Sequence, residues 1–507
     1  MSTPGRASLT TRAKRYAARR AMEWLTGYMR RDPDQAVKTI LSWGTRLAIM
    51  EVHRRQIEDI AETLRRNPAM MEFVRRLALE VHPNQHRGVV FNWFVNNILF
   101  GVPAQHALAA KLGHGIPNFI LVDPTEACNL RCAGCWAGEY AQHHTMDFDL
   151  LDRIVTEAKD LGIYWIVMSG GEPLVYKRLF DLFARHQDVA FMAFTNGTLI
   201  DDRVADRILE VGNFVPCFSL EGFRQSTDAR RGPGVFDKIS AAMDRLKERK
   251  LIFGTSVTIT RHNVEEITSD AFIDWLIAKG AFFGWSFHYI PIGRDPDVNL
   301  MVTPEQREYL VWRVREIRTT KPYLMADFWN DGYLTLGCIA GGRRYFHITA
   351  SGDVEPCAFA HFSVDNIKDK SLREVLGNPL FRAYQKRQPF NSNYLLPCPI
   401  IDNPQALREI VAESGAHPTH PGAETVLQDP IASHLEDVSH RWAERAALIQ
   451  QRLEERARAR GAAPAPAASP SAARAACVAT APERRTACAE HGEEEDERVA
   501  VAHGGET

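Results

Sequence analysis

From Phe119 onward the chain alternates short apolar runs with stretches of helix length, and this rhythm restricts the fold more than any other feature. Candidate strands begin near Phe119, Tyr164, Val189, Phe214, Ile252 and Phe282, each followed by a segment long enough for a helix. Strands separated in this way pair in parallel, because a parallel neighbour is reached only by a long crossover. Six such units predict an α/β fold, a partial (β/α)6 TIM-like barrel over residues 119–320. Ligands of parallel α/β architectures gather at the carboxyl ends of the strands, so the residues that follow each run are where the chemistry is expected.

The first of these strand ends is Asp123-Pro-Thr-Glu-Ala-Cys-Asn-Leu-Arg-Cys-Ala-Gly-Cys-Trp136. The C-x3-C-x2-C spacing of Cys128, Cys132 and Cys135 suits three thiolates on three irons of one cubane, with the fourth iron left for a small-molecule ligand. A structural zinc site is the alternative, with His143 or His144 completing it, although zinc usually takes four ligands in paired C-x2-C units. Nine cysteines in 507 residues is an ordinary content for a reduced protein, so disulfides are not expected.

The second strand end is Ser169-Gly170-Gly171-Glu172-Pro173, where two glycines bring bare backbone close to a ligand and Pro173 stiffens the exit. The third is Thr195-Asn196-Gly197-Thr198 and the fourth Ser219-Leu220-Glu221-Gly222, with Arg231 shortly after as a planar donor fork for a carboxylate. Asn196 and Glu221 also read as turn or cap residues. The sixth run carries Trp285, Phe287, His288 and Tyr289, and alternation sends His288 to the face opposite Phe287 and Tyr289. Thr303-Pro304-Glu305-Gln306 reads as a capping box opening the next helix.

In the order and spacing of the cysteine triplet and Gly-Gly-Glu-Pro, the chain resembles the radical S-adenosylmethionine superfamily over roughly residues 119–399. The resemblance implies a [4Fe-4S] cluster on Cys128, Cys132 and Cys135, and S-adenosyl-L-methionine chelated to its open iron. It further implies cofactor contacts at Gly170, Gly171, Glu172, Pro173, Asn196, Ser219, Glu221 and Arg231. Farther on, Cys338, Cys357 and Cys398 surround a hairpin pattern, Phe346 to Glu355, turning at Ser351-Gly352-Asp353. This region resembles the twitch and SPASM extensions of the same superfamily and implies one auxiliary [4Fe-4S] cluster, with His361, Asp402 or substrate as its fourth ligand. The implied enzyme cleaves S-adenosylmethionine reductively and uses the 5′-deoxyadenosyl radical on an unactivated carbon. A flavodoxin or ferredoxin is the implied reductant. Cys217, inside a strand, is assigned to the core.

The remainder divides into a basic leader (1–31), a helical region (32–118), an auxiliary-cluster region with C-terminal helices (321–453) and a tail without apolar periodicity (454–507), expected to be disordered and holding Cys477 and Cys488. A net charge of −2 argues against a nucleic-acid protein. No apolar stretch is long enough to span a bilayer, and the segment Gly88 to Val102, with Phe91, Trp93, Phe94 and Phe100 among Asn92, Asn96 and Asn97, is expected to be a buried helix. His82 and His86 are four apart, but Pro83 interrupts the helix that would align them on a metal. The leader and the Trp93 segment favour a lipid or isoprenoid substrate and a cytoplasmic enzyme peripheral at the inner membrane face. The SPASM-like region favours a peptide substrate. An iron-sulfur electron-transfer protein without the radical chemistry is the third reading, against which Gly-Gly-Glu-Pro and Ser219 stand, since electron transfer needs neither.

Overall fold

The computed structural model describes residues 20, 21, 24, 27–47, 51–138 and 144–459, so most of the basic leader, His143 and the tail with Cys477 and Cys488 lie outside the described residues. Nine strands form one sheet: β1 (Ile120–Val122), β2 (Trp165–Met168), β3 (Ala190–Thr195), β4 (Phe214–Leu220), β5 (Gly254–Ile259), β6 (Phe283–His288), β7 (Leu324–Asp327), β8 (His347–Ile348) and β9 (Val354–Glu355). Their order is β7-β6-β5-β4-β3-β2-β1-β8-β9. Every pairing from β7 across to β8 is parallel, and only the β8–β9 hairpin is antiparallel. The six expected strands are all present. The sheet also gains β7 beyond β6, while the hairpin docks beside β1 with Leu121 opposite His347.

Helices fill the crossovers, and polar caps set where they start. Asp147, Asp201, Ser269 and Thr303 each accept a backbone N–H from the first turn of their helices, and Thr303 with Gln306 forms the expected capping box. Each such cap is worth about 1 kcal/mol. Gly212 and Gly280 end two of these helices in the left-handed conformation.

The segment before the barrel reverses the expected burial. From His86 to Gly101 it winds largely as a π-helix whose asparagines turn inward, while Trp93, Phe94, Ile98 and Leu99 are 37–52% exposed. The reason is hydrogen-bonding demand at the amino ends of the strands. Asn92 donates to the carbonyls of Gln187 and Val189, Asn96 to Asp188, and Asn97 accepts from the N–H of Tyr164. Gln85 donates to the Phe214 carbonyl and accepts from Ile252 N–H. Buried backbone groups without partners cost about 1–3 kcal/mol each, which outweighs the gain from burying one face of this helix instead. Replacing Asn92 by Leu is expected to lower stability by about 1–3 kcal/mol, read as a lower denaturation midpoint in urea. His82 caps the turn that Pro83 opens and accepts from Asn84 N–H, so it does not face His86 across a helix.

Candidate active site

The carboxyl ends of the strands surround a cleft of about 1300 Å³, open mouth included, and Cys128, Cys132 and Cys135 line it. The loop that carries them is held through its carbonyls: Arg230 donates to Gly134 at 3.1 Å and Arg294 to Cys132 at 3.1 Å, while Ala133 N–H bonds to the Arg230 carbonyl. Burial pushes the Cys128 thiol up to about 11 and raises Cys132 against the opposing pull of Arg231. Such thiols stay protonated at neutral pH until a metal takes the place of the proton. Among the described residues no three His, Cys, Asp or Glu side chains converge on a point that would hold a single ion. A cubane does not ask for that, since each thiolate binds a different iron. Three thiols beside two arginines fit an anionic cluster of this kind.

The two glycines of Gly170-Gly171-Glu172 line the cleft and also pack against the cysteine loop. A Cβ on Gly171 would lie 2.3 Å from the Ala127 carbonyl oxygen, and one on Gly170, whose φ is +100°, 2.5 Å from that of Thr125. The space belongs to the cysteine loop, to which Gly171 N–H and Glu172 N–H donate at 2.9 Å. The glycines therefore bring two parts of the protein together and set the loop against β2. Glu172 is buried, and its carboxylate accepts from Thr195 Oγ1 at 2.7 Å, Asn196 N–H at 2.7 Å and Leu174 N–H at 3.1 Å. It braces the end of β3, and burial raises its pKa against those three donors.

Asn196 lines the cleft, donates to Asn129 at 2.8 Å and sits 4.0 Å from the Cys128 sulfur. Ser219 lies on β4 opposite Ser256 of β5, and both line the cleft with Thr258. Glu221 and Pro173, expected as cofactor contacts, stand behind the lining residues. Pro173 begins a buried turn. Glu221 stands behind the wall with one oxygen 2.6 Å from both Arg230 Nη1 and Arg231 Nη2, because two buried guanidinium groups need an anion. The Nε–Nη2 edge of Arg231 is thus occupied, and its Nη1 faces Cys132 at 3.9 Å. Arg230, Asn129, Ser256 and Thr258 escaped the sequence reading. Period-two alternation along β5 was the available signal for Ser256 and Thr258.

Along β6, Trp285, Phe287 and His288 line the cleft, as does Tyr289 just beyond, and His288 also lies with Nε2 3.3 Å from Asp327 while stacking on Trp329. Buried opposite His288, Asp327 has a carboxyl that burial alone would raise, but the imidazole and Asn330 hold it at about 2.

A second cavity, about 1190 Å³ with its opening, is lined by Cys338, Cys357 and Cys398. The two cavities share Phe119, Trp285, Ile290, Phe328, Tyr345 and Phe359 as a common wall. Tyr345 Oη is 2.8 Å from the Cys357 sulfur, and Arg343 and Gln388 donate to the Cys338 carbonyl. Burial pushes Cys357 up to about 12 and moves Cys338 and Cys398 the same way. Neither His361 nor Asp402 lines this cavity, contrary to the expectation of a fourth ligand there. Asp402 pairs with Arg307 at 2.5 Å and accepts the Cys398 N–H, so it braces that cysteine from behind. His361 stacks on Trp136. Cys217 is fully buried within β4, as expected of a core residue.

Residues 122–272 match the Radical SAM superfamily model and residues 338–399 the model of an iron-sulfur cluster-binding domain, SPASM. An AdoMet-dependent heme synthase of Methanosarcina barkeri is 24% identical over 293 residues, spanning 52% of this chain and 82% of that protein. A PqqA peptide cyclase of Granulibacter bethesdensis is 26% identical over 294 residues, 53% of this chain and 76% of its own. Among solved structures, Streptococcus suis SuiB bound to S-adenosylmethionine aligns over 58% of this chain and 74% of its own with a TM-score of 0.49 and 17% identity. With both family models matched in sequence order and the cysteines of each region gathered at a cavity, the chain carries a radical S-adenosylmethionine domain and a C-terminal SPASM-like region, the domains of an enzyme whose cofactors are [4Fe-4S] clusters and S-adenosylmethionine.

Proposed function

We propose that Cys128, Cys132 and Cys135 hold the cluster that binds S-adenosylmethionine, and that Cys338, Cys357 and Cys398 hold one auxiliary [4Fe-4S] cluster. A cluster held there would supply the electron for reductive cleavage of S-adenosylmethionine, and with it the radical chemistry for an unactivated carbon. The protein's own part is orientation and exclusion of water. Arg231 Nη1, Ser219 and Asn196 face the cleft as donors for the polar groups of the cofactor, while Glu221 and Glu172 keep them in place from behind. A flavodoxin or ferredoxin is the reductant in this reading. The observation that carries it is the meeting of the three thiols with Gly170, Gly171, Asn196, Ser219 and Arg231 at one cleft.

The substrate that this cleft suits is an uncharged apolar chain of lipid or isoprenoid type. Away from the cysteines the wall is aromatic: Phe194 packs on Phe287 at 5.6 Å, Trp285 stacks on Phe287 at 6.1 Å, and Phe287 meets Phe328 at 5.2 Å and Phe359 at 5.9 Å. The arginines that line the cleft, Arg230 and Arg231, are both engaged by Glu221. Against this aromatic wall, away from the polar groups beside the cysteines, a charged substrate group would lose its hydration without a partner. A peptide is the second reading, favoured by the SPASM region and by the relative named as a peptide cyclase. The test is anaerobic turnover with vesicles of perdeuterated dipalmitoyl phosphatidylglycerol. Deuterium is expected in 5′-deoxyadenosine, and Phe287→Asp is expected to stop its transfer while unlabelled 5′-deoxyadenosine continues to form. Cofactor cleavage without label from the lipid, but with label from a deuterated peptide pool, favours the peptide.

Peripheral docking on an anionic membrane belongs to the same reading. Its supports are the exposed stripe of Trp93, Phe94, Ile98 and Leu99 and the basic leader. Each basic residue near such a surface contributes about 1 kcal/mol, screened by salt. Liposome flotation is expected to show binding that rises with anionic lipid, falls with salt, and weakens when Arg12, Lys14, Arg15, Arg19 and Arg20 become Gln. Equal recovery of both proteins in the unbound fraction at low salt removes the membrane argument.

A further inference from the structure

His347 is enclosed between two carboxylates at the junction of β1 with the C-terminal hairpin. Its Nδ1 is hydrogen-bonded to Glu355 Oε2 at 2.6 Å and its Nε2 makes an ion-pair contact with Asp123 Oδ2 at 2.9 Å, outside hydrogen-bond geometry, with all three side chains at most 1% exposed. Asp123 is the residue on which β1 ends and the cysteine loop begins, and its other oxygen accepts from Ser169 Oγ at 2.6 Å. Ser169 in turn opens Gly170-Gly171-Glu172. At the other end, Glu355 Oε1 is 3.4 Å from His361 Nδ1, and His361 Nε2 is 3.2 Å from the carbonyl of Trp136, the residue after Cys135. The His361 and Trp136 rings are parallel, 6.2 Å apart.

These contacts form a circuit. It leaves the base of the cysteine loop at Asp123, passes through the hairpin at His347 and Glu355, and returns to the far end of the same loop at Trp136. A branch through Ser169 takes in the glycine segment. Three stretches of chain that are distant in sequence are thereby referenced to one imidazole. A buried polar network of this type holds one geometry, because any member that moves leaves its neighbours without partners in a dry interior. Packing alone would fill the same volume with apolar side chains. The hairpin also carries Cys357 two residues beyond Glu355, so the circuit joins the two cavities.

We propose that His347 is a positioning residue: through Asp123 and Glu355 the SPASM-like hairpin sets the cysteine loop and the Gly-Gly-Glu segment in register for S-adenosylmethionine. This rests on the function proposed above. Orienting partners behind a ligand shell typically change affinity or activity about 10- to 100-fold when removed.

The experiment compares wild type, His347→Gln and the milder Ser169→Ala, each reconstituted anaerobically. Expected for His347→Gln are full iron content, a KM for S-adenosylmethionine raised about tenfold or more at nearly unchanged kcat for 5′-deoxyadenosine release. Also expected are an altered electron paramagnetic resonance response of the reduced cluster to added cofactor and faster amide exchange across residues 124–136. Ser169→Ala is expected to move the same quantities in the same direction by a smaller factor. An iron-replete His347→Gln protein with wild-type KM, resonance response and exchange overturns the proposal. If that variant does not fold, Ser169→Ala decides, and wild-type behaviour there overturns it. Wild-type protein that carries its clusters but leaves the cofactor intact overturns the proposed function and this inference with it, whereas an active wild type beside an unaffected variant overturns the inference alone.

Discussion

Alanine at Cys128, Cys132 and Cys135 together is expected to halve the iron bound after anaerobic reconstitution and to bring cofactor cleavage to the detection limit. The three thiols line one cleft, and the other described cysteines lie at the second cavity or, for Cys217, inside β4, so no replacement ligand is at hand. The thiols are also poor thiolates by themselves, with Cys128 pushed up to about 11 by burial. Cluster binding therefore depends on the metal displacing three protons at once, and loss of one ligand weakens the others. Iron and sulfide analysis reads the first effect and chromatography of 5′-deoxyadenosine the second. Iron content unchanged by the triple substitution would sink the assignment.

Replacing Cys338, Cys357 and Cys398 is expected to remove the second cluster, abolish substrate turnover and leave some uncoupled 5′-deoxyadenosine formation. The cleft that holds the first triplet is closed mainly from within the barrel. Gly171 and Glu172 bond to the cysteine loop, and Arg230 and Arg294 hold its carbonyls. The shared aromatic wall explains why substrate chemistry is expected to suffer more than cofactor cleavage, since Phe328, Tyr345 and Phe359 face both cavities. Product counting with dithionite as reductant separates the two activities. A variant that keeps both clusters and normal turnover makes those thiols structural.

The barrel strands were legible because each is a short apolar run between helix-length segments, a pattern that local hydrophobicity writes directly. The first cysteine triplet was legible for a similar reason: its three candidate ligands lie within one loop, where spacing alone constrains geometry. Glu221 shows the limit. At a strand end it reads as a ligand contact, yet its position nine and ten residues before Arg230 and Arg231, across one short helix, makes it their counterion. The auxiliary triplet meets at one cavity as expected, while His361 and Asp402 are not in its lining, since whether His361 faces Cys357 or Trp136 depends on how the hairpin docks. The Gly88 to Val102 segment was read by its aromatics. Its asparagines decided its orientation, because the carbonyls they satisfy belong to strands far along the chain.

The parallel α/β class, the six strand positions, the capping box at Thr303 and the two sets of cysteines were readable from the chain, because they follow from periodicity, capping chemistry or spacing within a few neighbouring residues. Tertiary structure alone decided the pairing of β8 with β1, the circuit through His347, the loop contact that needs Gly170 and Gly171, and the aromatic wall between the cavities. The physical reason is the same in each case: a buried polar or bulky side chain is satisfied by whatever backbone or ring folding brings beside it, and that partner is set by the packing of the whole sheet, not by the residues on either side.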